Sequence, residues 1–161
     1  GVDNLAPFSY FTVVCIDPPV IAFAPMQFQS GLKDTPRNIL DTEEFVVNVV
    51  VDEQVEAMNA TSASLEESES EFDHAGVESE DCTVVDAPRV ADAPISLECR
   101  LYDTVSLPTS TLVLGEVVHV HADESVLSDG KVDVRKVDTV GRLAGGYYAR
   151  TSDRFELERP D

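Results

Sequence analysis

Thr111-Leu112-Val113-Leu114-Gly115-Glu116-Val117-Val118-His119-Val120-His121 is a long, β-branched and apolar stretch that reads as one extended strand. Gly115 in its middle permits a bulge or a bend. Long bent strands are what a small closed barrel requires. Just upstream, Ile95-Ser96-Leu97-Glu98-Cys99-Arg100-Leu101 alternates strictly, which predicts a strand with one wet face and one core face. Phe45-Val46-Val47-Asn48-Val49-Val50-Val51 is almost continuously apolar and reads as a strand buried on both faces. Nearer the N-terminus, Thr12-Val13-Val14-Cys15-Ile16 and Val20-Ile21-Ala22-Phe23-Ala24 flank Asp17-Pro18-Pro19. Two apolar runs around a proline turn predict adjacent strands. The fold class expected is mostly β with a few short helices, in a single domain over residues 1–161.

The predicted helices are short. Asp34 or Thr35 can cap a helix whose first position suits Pro36 and which ends near Thr42. Asp52 to Ala60 reads as a second helix, with Val55 and Met58 on one side. Thr61 to Glu80 is acidic and serine-rich and reads as a solvated loop or short helix edge, anchored by Phe72 and Ala75-Gly76. Ser128-Asp129-Gly130-Lys131 is a turn. Val134 to Leu143 is expected as a short helix, and Phe155-Glu156-Leu157 as a last short strand. Repeats are absent.

Composition narrows the function classes. With 43% hydrophobic residues among 161, the chain can bury one real core. Acidic residues number 31 against 11 basic ones, for a formal net charge of −20. Its wealth of valine separates it from disordered acidic chains, so the acid must coat a folded surface. Such a surface repels nucleic acid and anionic membranes. Acid-rich, lysine-poor folded chains resemble the cytoplasmic proteins of salt-in halophiles, and lysine occurs only at Lys33, Lys131 and Lys136. There is no signal-peptide pattern and no apolar run approaching the roughly 18 residues of a membrane span, so a cytoplasmic protein is expected. Cys15, Cys82 and Cys99 form no C-x-x-C pair and read as core or loop residues. His119 and His121 share one strand face, but a metal there would need third and fourth ligands, and His74 is the other histidine. The expectation is that His119 packs by a ligand mouth. No hydrolytic triad and no G-x-G-x-x-G after a strand is present.

A set of short blocks then stands out in order along the chain: Asn4-Leu5-Ala6-Pro7-Phe8-Ser9-Tyr10-Phe11, Asp17-Pro18-Pro19, Lys33-Asp34-Thr35, Arg37-Asn38-Ile39, Glu44-Phe45-Val46-Val47-Asn48 and Ala57-Met58-Asn59-Ala60-Thr61-Ser62. Leu97-Glu98-Cys99, Gly115-Glu116-Val117-Val118-His119 and Arg142-Leu143-Ala144-Gly145-Gly146-Tyr147-Tyr148 complete it. Together they resemble the flavin-reductase-like family. The resemblance implies a split β-barrel that binds FMN at a homodimer interface and passes hydride or electrons through it, with NAD(P)H as a transient co-substrate. A flavin-binding electron carrier, or a decayed paralogue that binds nothing, is the alternative. By this resemblance Ser30, Lys33 and Thr35 would hold the flavin phosphate at a helix start, where free amides and the helix dipole favour an anion. Asn4, Leu5, Ala6, Pro7 and Ser9 would run along the flavin ring and ribityl chain, with Thr12 and Cys15 beside it. Cys15 stands where serine is commoner. Asn59, Thr61 and Ser62 are a softer carry-over, and Tyr147 or Tyr148 would cover the flavin or the nicotinamide. Family members usually begin earlier, with a further helix and strand. A chain starting inside the following hairpin is expected to leave a barrel edge open for a dimer partner to cover.

Overall fold

The computed structural model describes residues 2–26, 34–66 and 68–160. Its centre is one long hairpin. Strand β6 (Ile95–Ser106) pairs antiparallel with β7 (Thr111–Ala122) along their whole lengths, from Ile95 opposite Ala122 to Ser106 opposite Thr111. Two shorter strands flank it, each covering a different half. β3 (Glu44–Asn48) pairs with β6 from Ser96 to Arg100, and β2 (Pro19–Phe23) pairs with β7 from Val113 to Glu116. β1 (Phe11–Ile16) then pairs with β2, giving the strand order β1-β2-β7-β6-β3. These are the strands expected from the valine-rich runs.

The core follows from this stagger. Ile21, Phe23, Ile39, Phe45, Cys99 and Val113 are buried together. The Phe23 ring stands 5.1 Å from Phe8 and 5.5 Å from Phe45, centroid to centroid. Both contacts are tilted, within the preferred range for aromatic pairs. Gly115 lies beneath Phe45, and a Cβ there would come within 2.3 Å of the ring's Cζ. Gly115 thus clears room for Phe45, and an irregularity of the ladder lies opposite it. The register shifts twice along the hairpin: Val118 is the extra residue of β7 opposite Glu98 and Cys99, and Tyr102 is the extra residue of β6 opposite Gly115 and Leu114.

Helix α1 (Asp34–Thr42) begins two residues before the expected Pro36 and buries Pro36 and Ile39. Asp52–Gln54 forms a 3₁₀ turn that leads into α2 (Val55–Ala60). The acidic stretch contains a third helix, α3 (Glu71–Ala75), capped by Ser70 and ended by Gly76 at φ 63°, with Phe72 buried as its anchor. Two two-residue strands, β4 (Ser79–Glu80) and β5 (Arg89–Val90), pair beyond it. The 128–131 turn joins β8 (Leu127–Ser128) to β9 (Lys131–Val132), with Asp129 and Gly130 at positive φ. That is the conformation tight two-residue hairpins need.

Two expectations fail. Only Val134–Lys136 forms a 3₁₀ turn; the chain then enters β10 (Val140–Arg142), paired with β11 (Tyr148–Arg150). Val137, Thr139, Val140 and Gly141 are poor helix formers, and Asp133 diverts the first turn by accepting from the Arg135 N–H at 3.0 Å. Phe155-Glu156-Leu157 forms no strand, and Phe155 is 85% exposed. No sheet edge pairs with it among the described residues. No helix among them is long and apolar enough to cross a membrane.

Candidate functional site

Residues 2–10 have no regular structure, yet side chains from two helices fix them. The Glu71 carboxylate, in the first turn of α3, accepts from the Leu5 N–H at 3.0 Å and from Asn4 Nδ2 at 3.1 Å. Ser70 Oγ donates to the Asp3 carbonyl at 2.8 Å. From the other side, Thr35 Oγ1 in α1 donates to Asn4 Oδ1 at 2.8 Å. Phe8 plugs the segment onto the core. The N–H groups of Ala6, Phe8 and Ser9 find no acceptor among the described residues.

This segment forms one wall of a cleft of about 1440 Å³. Its apolar surface comes from Leu5, Phe8, Phe23, Ile39, Phe45 and Val47, and its polar surface includes Asn4, Ser9, Thr35, Asn38, Asn48 and Tyr148. Arg142 is the guanidinium among the described lining residues; its Nε and Nη2 donate to the Gly145 carbonyl at 3.1 and 2.6 Å. Six carboxylates share the lining with it: Asp3, Glu44, Glu53, Glu78, Asp86 and Asp92.

The residues implied by the resemblance divide three ways. Asn4, Leu5, Ala6, Pro7, Ser9, Thr35 and Thr61 line this cleft. Ser30 and Lys33 lie outside the described residues. Thr12, Cys15, Asn59 and Tyr147 do not line it. Thr12 sits exposed on the edge strand, its hydroxyl donating to the Val13 carbonyl at 3.4 Å, and Cys15 Sγ turns to the Asp17 carbonyl at 3.5 Å. Asn59 is exposed on α2. Tyr148, the first residue of β11, reaches the cleft, while Tyr147 just before the strand is 77% exposed. Thr61 Oγ1 donates to the Met58 carbonyl at 2.7 Å, so its hydroxyl ends the helix. Asn4 likewise has both ends of its amide engaged and acts as a positioning residue. Glu71 is the residue that sequence reasoning missed. Its signal was Ser70 before a short apolar-anchored turn, hidden inside a run that reads as solvated.

Neither His119 nor His121 lines the cleft, which corrects the expected ligand mouth. Their rings meet edge to face at 4.8 Å, and His121 Nε2 lies 2.5 Å from Glu98 Oε1. Glu98 is fully buried in β6. Its carboxylate also accepts from the N–H groups of Thr83 at 2.7 Å, Val84 at 2.6 Å and Val85 at 3.0 Å. Burial alone would raise its pKa, but the Thr83 amide, His121 and the Val84 and Val85 amides outweigh it and hold the group at about 2. The Cys82 thiol stands close by, pushed up to about 11 by burial first and the Glu98 charge second. Burial drives Cys99 to about 12. Both thiols stay protonated at neutral pH, which suits packing and not nucleophilic chemistry.

Residues 1–152 match the family model described as flavin reductase like domain. The structure overlays nitrilotriacetate monooxygenase component B from Bacillus cereus with a TM-score of 0.94 at 35% identity, covering 98% of this chain and 81% of that one. It overlays Pseudomonas fluorescens 2-nitrobenzoate 2-nitroreductase with a TM-score of 0.88 at 34% identity, covering 98% and 77%. A Halalkalibacterium halodurans protein is 36% identical over 167 residues, 99% of this chain and 80% of its own length. A split barrel domain from Shewanella frigidimarina overlays at TM-score 0.83 and 26% identity, covering 98% and 79%. The architecture is a split β-barrel, and this chain belongs to the flavin reductase like family.

Proposed function

We propose that the chain binds FMN in this cleft and serves as an oxidoreductase that accepts hydride from NADH or NADPH. The observation that carries the proposal is the pairing of two walls. One is an anchored N-terminal segment whose Ala6, Phe8 and Ser9 amides lack acceptors. The other is the first turn of α1 with Thr35. An isoalloxazine ring presents carbonyl and nitrogen acceptors along one edge, and those amides are donors that can meet them. The nine-residue helix α1 offers the positive end of its dipole to a phosphate. Phe8 and Phe45 supply flat apolar surface for a ring. The residues present therefore fit the group.

When bound, the flavin supplies the two-electron chemistry, and the protein supplies orientation and electrostatics. Glu71 and Thr35 hold Asn4 and Leu5, so the amides of residues 6–9 point from a fixed frame. Phe23 and Phe45 keep water from the apolar floor. A cleft of about 1440 Å³ exceeds the roughly 300–1,000 Å³ of ordinary ligand pockets and leaves room for a nicotinamide beside a flavin. The names of the Bacillus and Pseudomonas relatives, a monooxygenase component and a nitroreductase, favour a redox role.

We also propose a homodimer. The β1 edge exposes Val13, Val14 and Ile16, the last 87% exposed, beside Tyr10 and Phe11. An apolar unpaired edge strand invites cover by a second copy.

The test is the visible spectrum of the protein in high salt, before and after incubation with FMN and desalting. Retained flavin bands that bleach on adding NADH or NADPH are expected. Retained bands that do not bleach would make the chain an electron carrier. Loss of all flavin from a folded protein would overturn the proposal.

A further inference from the structure

The described lining of the cleft is acidic, although the molecules proposed to enter it are anions. Glu44 has partners: it lies 3.6 Å from the Arg100 guanidinium and accepts from the Asp86 N–H at 2.9 Å. Among the described residues no ion pair neutralises Asp3, Glu53, Glu78, Asp86 or Asp92. Arg142, the guanidinium of the described lining, is turned onto the Gly145 carbonyl. Other arginines are held elsewhere, Arg150 by Asp52 and Arg154 by Asp138. A walled cleft of one sign concentrates the field of its charges. That field reaches about 10 Å at 0.1 M salt and about 3 Å at 1 M.

We infer that this cleft sorts hydride donors by charge. Among molecules carrying the same dihydronicotinamide ring, it admits the least negative first, and dissolved salt admits the polyanionic ones. NADH is preferred to NADPH, whose additional phosphate adds negative charge, and the preference shrinks as salt rises. The inference rests on the reading that the nicotinamide enters this cleft. It gives the acidic composition a consequence at the site: in dilute salt the cleft repels its own substrate class, and in concentrated salt it is open.

The experiment measures equilibrium binding by the donors' own fluorescence to protein whose flavin has first been reduced with dithionite under anoxia, so that no hydride can be transferred, between 0.1 and 2 M KCl, with circular dichroism recorded at each point. The probes are NADPH, NADH and the uncharged 1-benzyl-1,4-dihydronicotinamide. From 0.1 to 1 M the dissociation constant is expected to fall about tenfold for NADPH and about threefold for NADH, and to stay within about twofold for the neutral donor. A triple variant, Glu53→Gln, Glu78→Gln and Asp92→Asn, gives a second measurement at one fixed salt, free of any effect of salt on folding. All three positions line the cleft, and none of the three side chains makes a hydrogen bond among the described residues. The variant is expected to narrow the NADH-to-NADPH ratio at least threefold and to leave the neutral donor unchanged. Equal salt response by all three donors, or an unchanged ratio in the variant, overturns charge sorting and leaves the proposed activity standing. Failure of every donor to bind at any salt, in protein that retains flavin, removes donor entry and the inference with it. Failure to retain flavin is a separate result and counts against the proposed function.

Discussion

Glu98 and the N-terminal segment are both polar constructions set against the same sheet, and they differ in completeness. Around Glu98 every acceptor position is filled: three successive amides, His121 and the neighbouring thiol converge on one buried carboxylate. Around residues 4–9 the anchors are filled, but the amides of Ala6, Phe8 and Ser9 have no acceptor among the described residues. A saturated cluster has nothing left to offer a ligand and serves to hold a loop on the sheet. An unsaturated one beside an open cleft keeps donors that water occupies and a ligand can take over. That contrast, more than residue type, separates structure from site here. The histidine–cysteine–carboxylate group looks the more chemical of the two, yet it is the closed one.

The largest expected effect breaks the closed region. Glu98→Gln places an amide NH₂ against backbone N–H groups and removes the charge they converge on, which costs about 3 kcal/mol. Urea unfolding in high salt should show this, while flavin retained per folded molecule stays unchanged. A comparable fall in flavin retention at conditions where the variant is folded would put Glu98 in the site after all. The same group sets an acid limit. Its folded pKa of about 2 lies below the ordinary 4.5, so its stabilisation is present above pH 4.5 and is lost as pH falls through about 2. The wild-type protein should lose stability across that window, and the Glu98→Gln variant should be flatter there.

Gly115 tests the boundary between the two regions, since Phe45 above it both packs the core and lines the cleft. Gly115→Ala should cost about 2 kcal/mol through overpacking, because the intruding Cβ meets the ring and not solvent. Phe45→Leu in the same chain should recover part of that loss by vacating the space. No recovery in the double variant would mean that strand geometry at Gly115, and not the ring, demands glycine.

Most of the sheet was legible because valine-rich runs broken by proline and glycine leave little else for a chain to do. The expected Val134–Leu143 helix does not form because Asp133 and four β-branched residues, Val134, Val137, Thr139 and Val140, work against it. The Asn4–Ser9 wall was legible through resemblance alone. Composition cannot reveal an irregular segment whose shape depends on a glutamate sixty-six residues away. Glu71 itself was hidden by its neighbours: in Glu66-Glu67-Ser68-Glu69-Ser70-Glu71 one carboxylate has a partner in the N-terminal segment, and sequence does not say which. Tyr147 and Thr12 do not line the cleft, because one precedes β11 and the other lies on the edge strand β1, and sequence alone does not place them there.

Glu71→Gln sharpens the open region. The substitution keeps one acceptor and loses the charge that strengthens two hydrogen bonds, so stability should fall by only about 1 kcal/mol. The segment it holds should loosen, and the FMN dissociation constant should rise roughly tenfold, equivalent to about 1.4 kcal/mol of binding. Flavin fluorescence titration checks this. Binding unchanged beside lowered stability would reduce Glu71 to a structural anchor.

The smallest effect is expected where the resemblance pointed and the geometry does not. Thr12→Val and Cys15→Ser alter side chains on the β1 edge, whose polar atoms turn to the carbonyls of Val13 and Asp17. Neither lines the cleft of its own chain, so each should shift flavin affinity by less than about twofold, within 0.4 kcal/mol. Thr35→Val, which removes a donor to Asn4 at the opposite wall, is the internal standard and should weaken binding more. An effect at Thr12 as large as at Thr35 would have a structural meaning of its own: the exposed β1 edge would then be reaching the cleft of a second copy, and the open wall would be closed by the dimer.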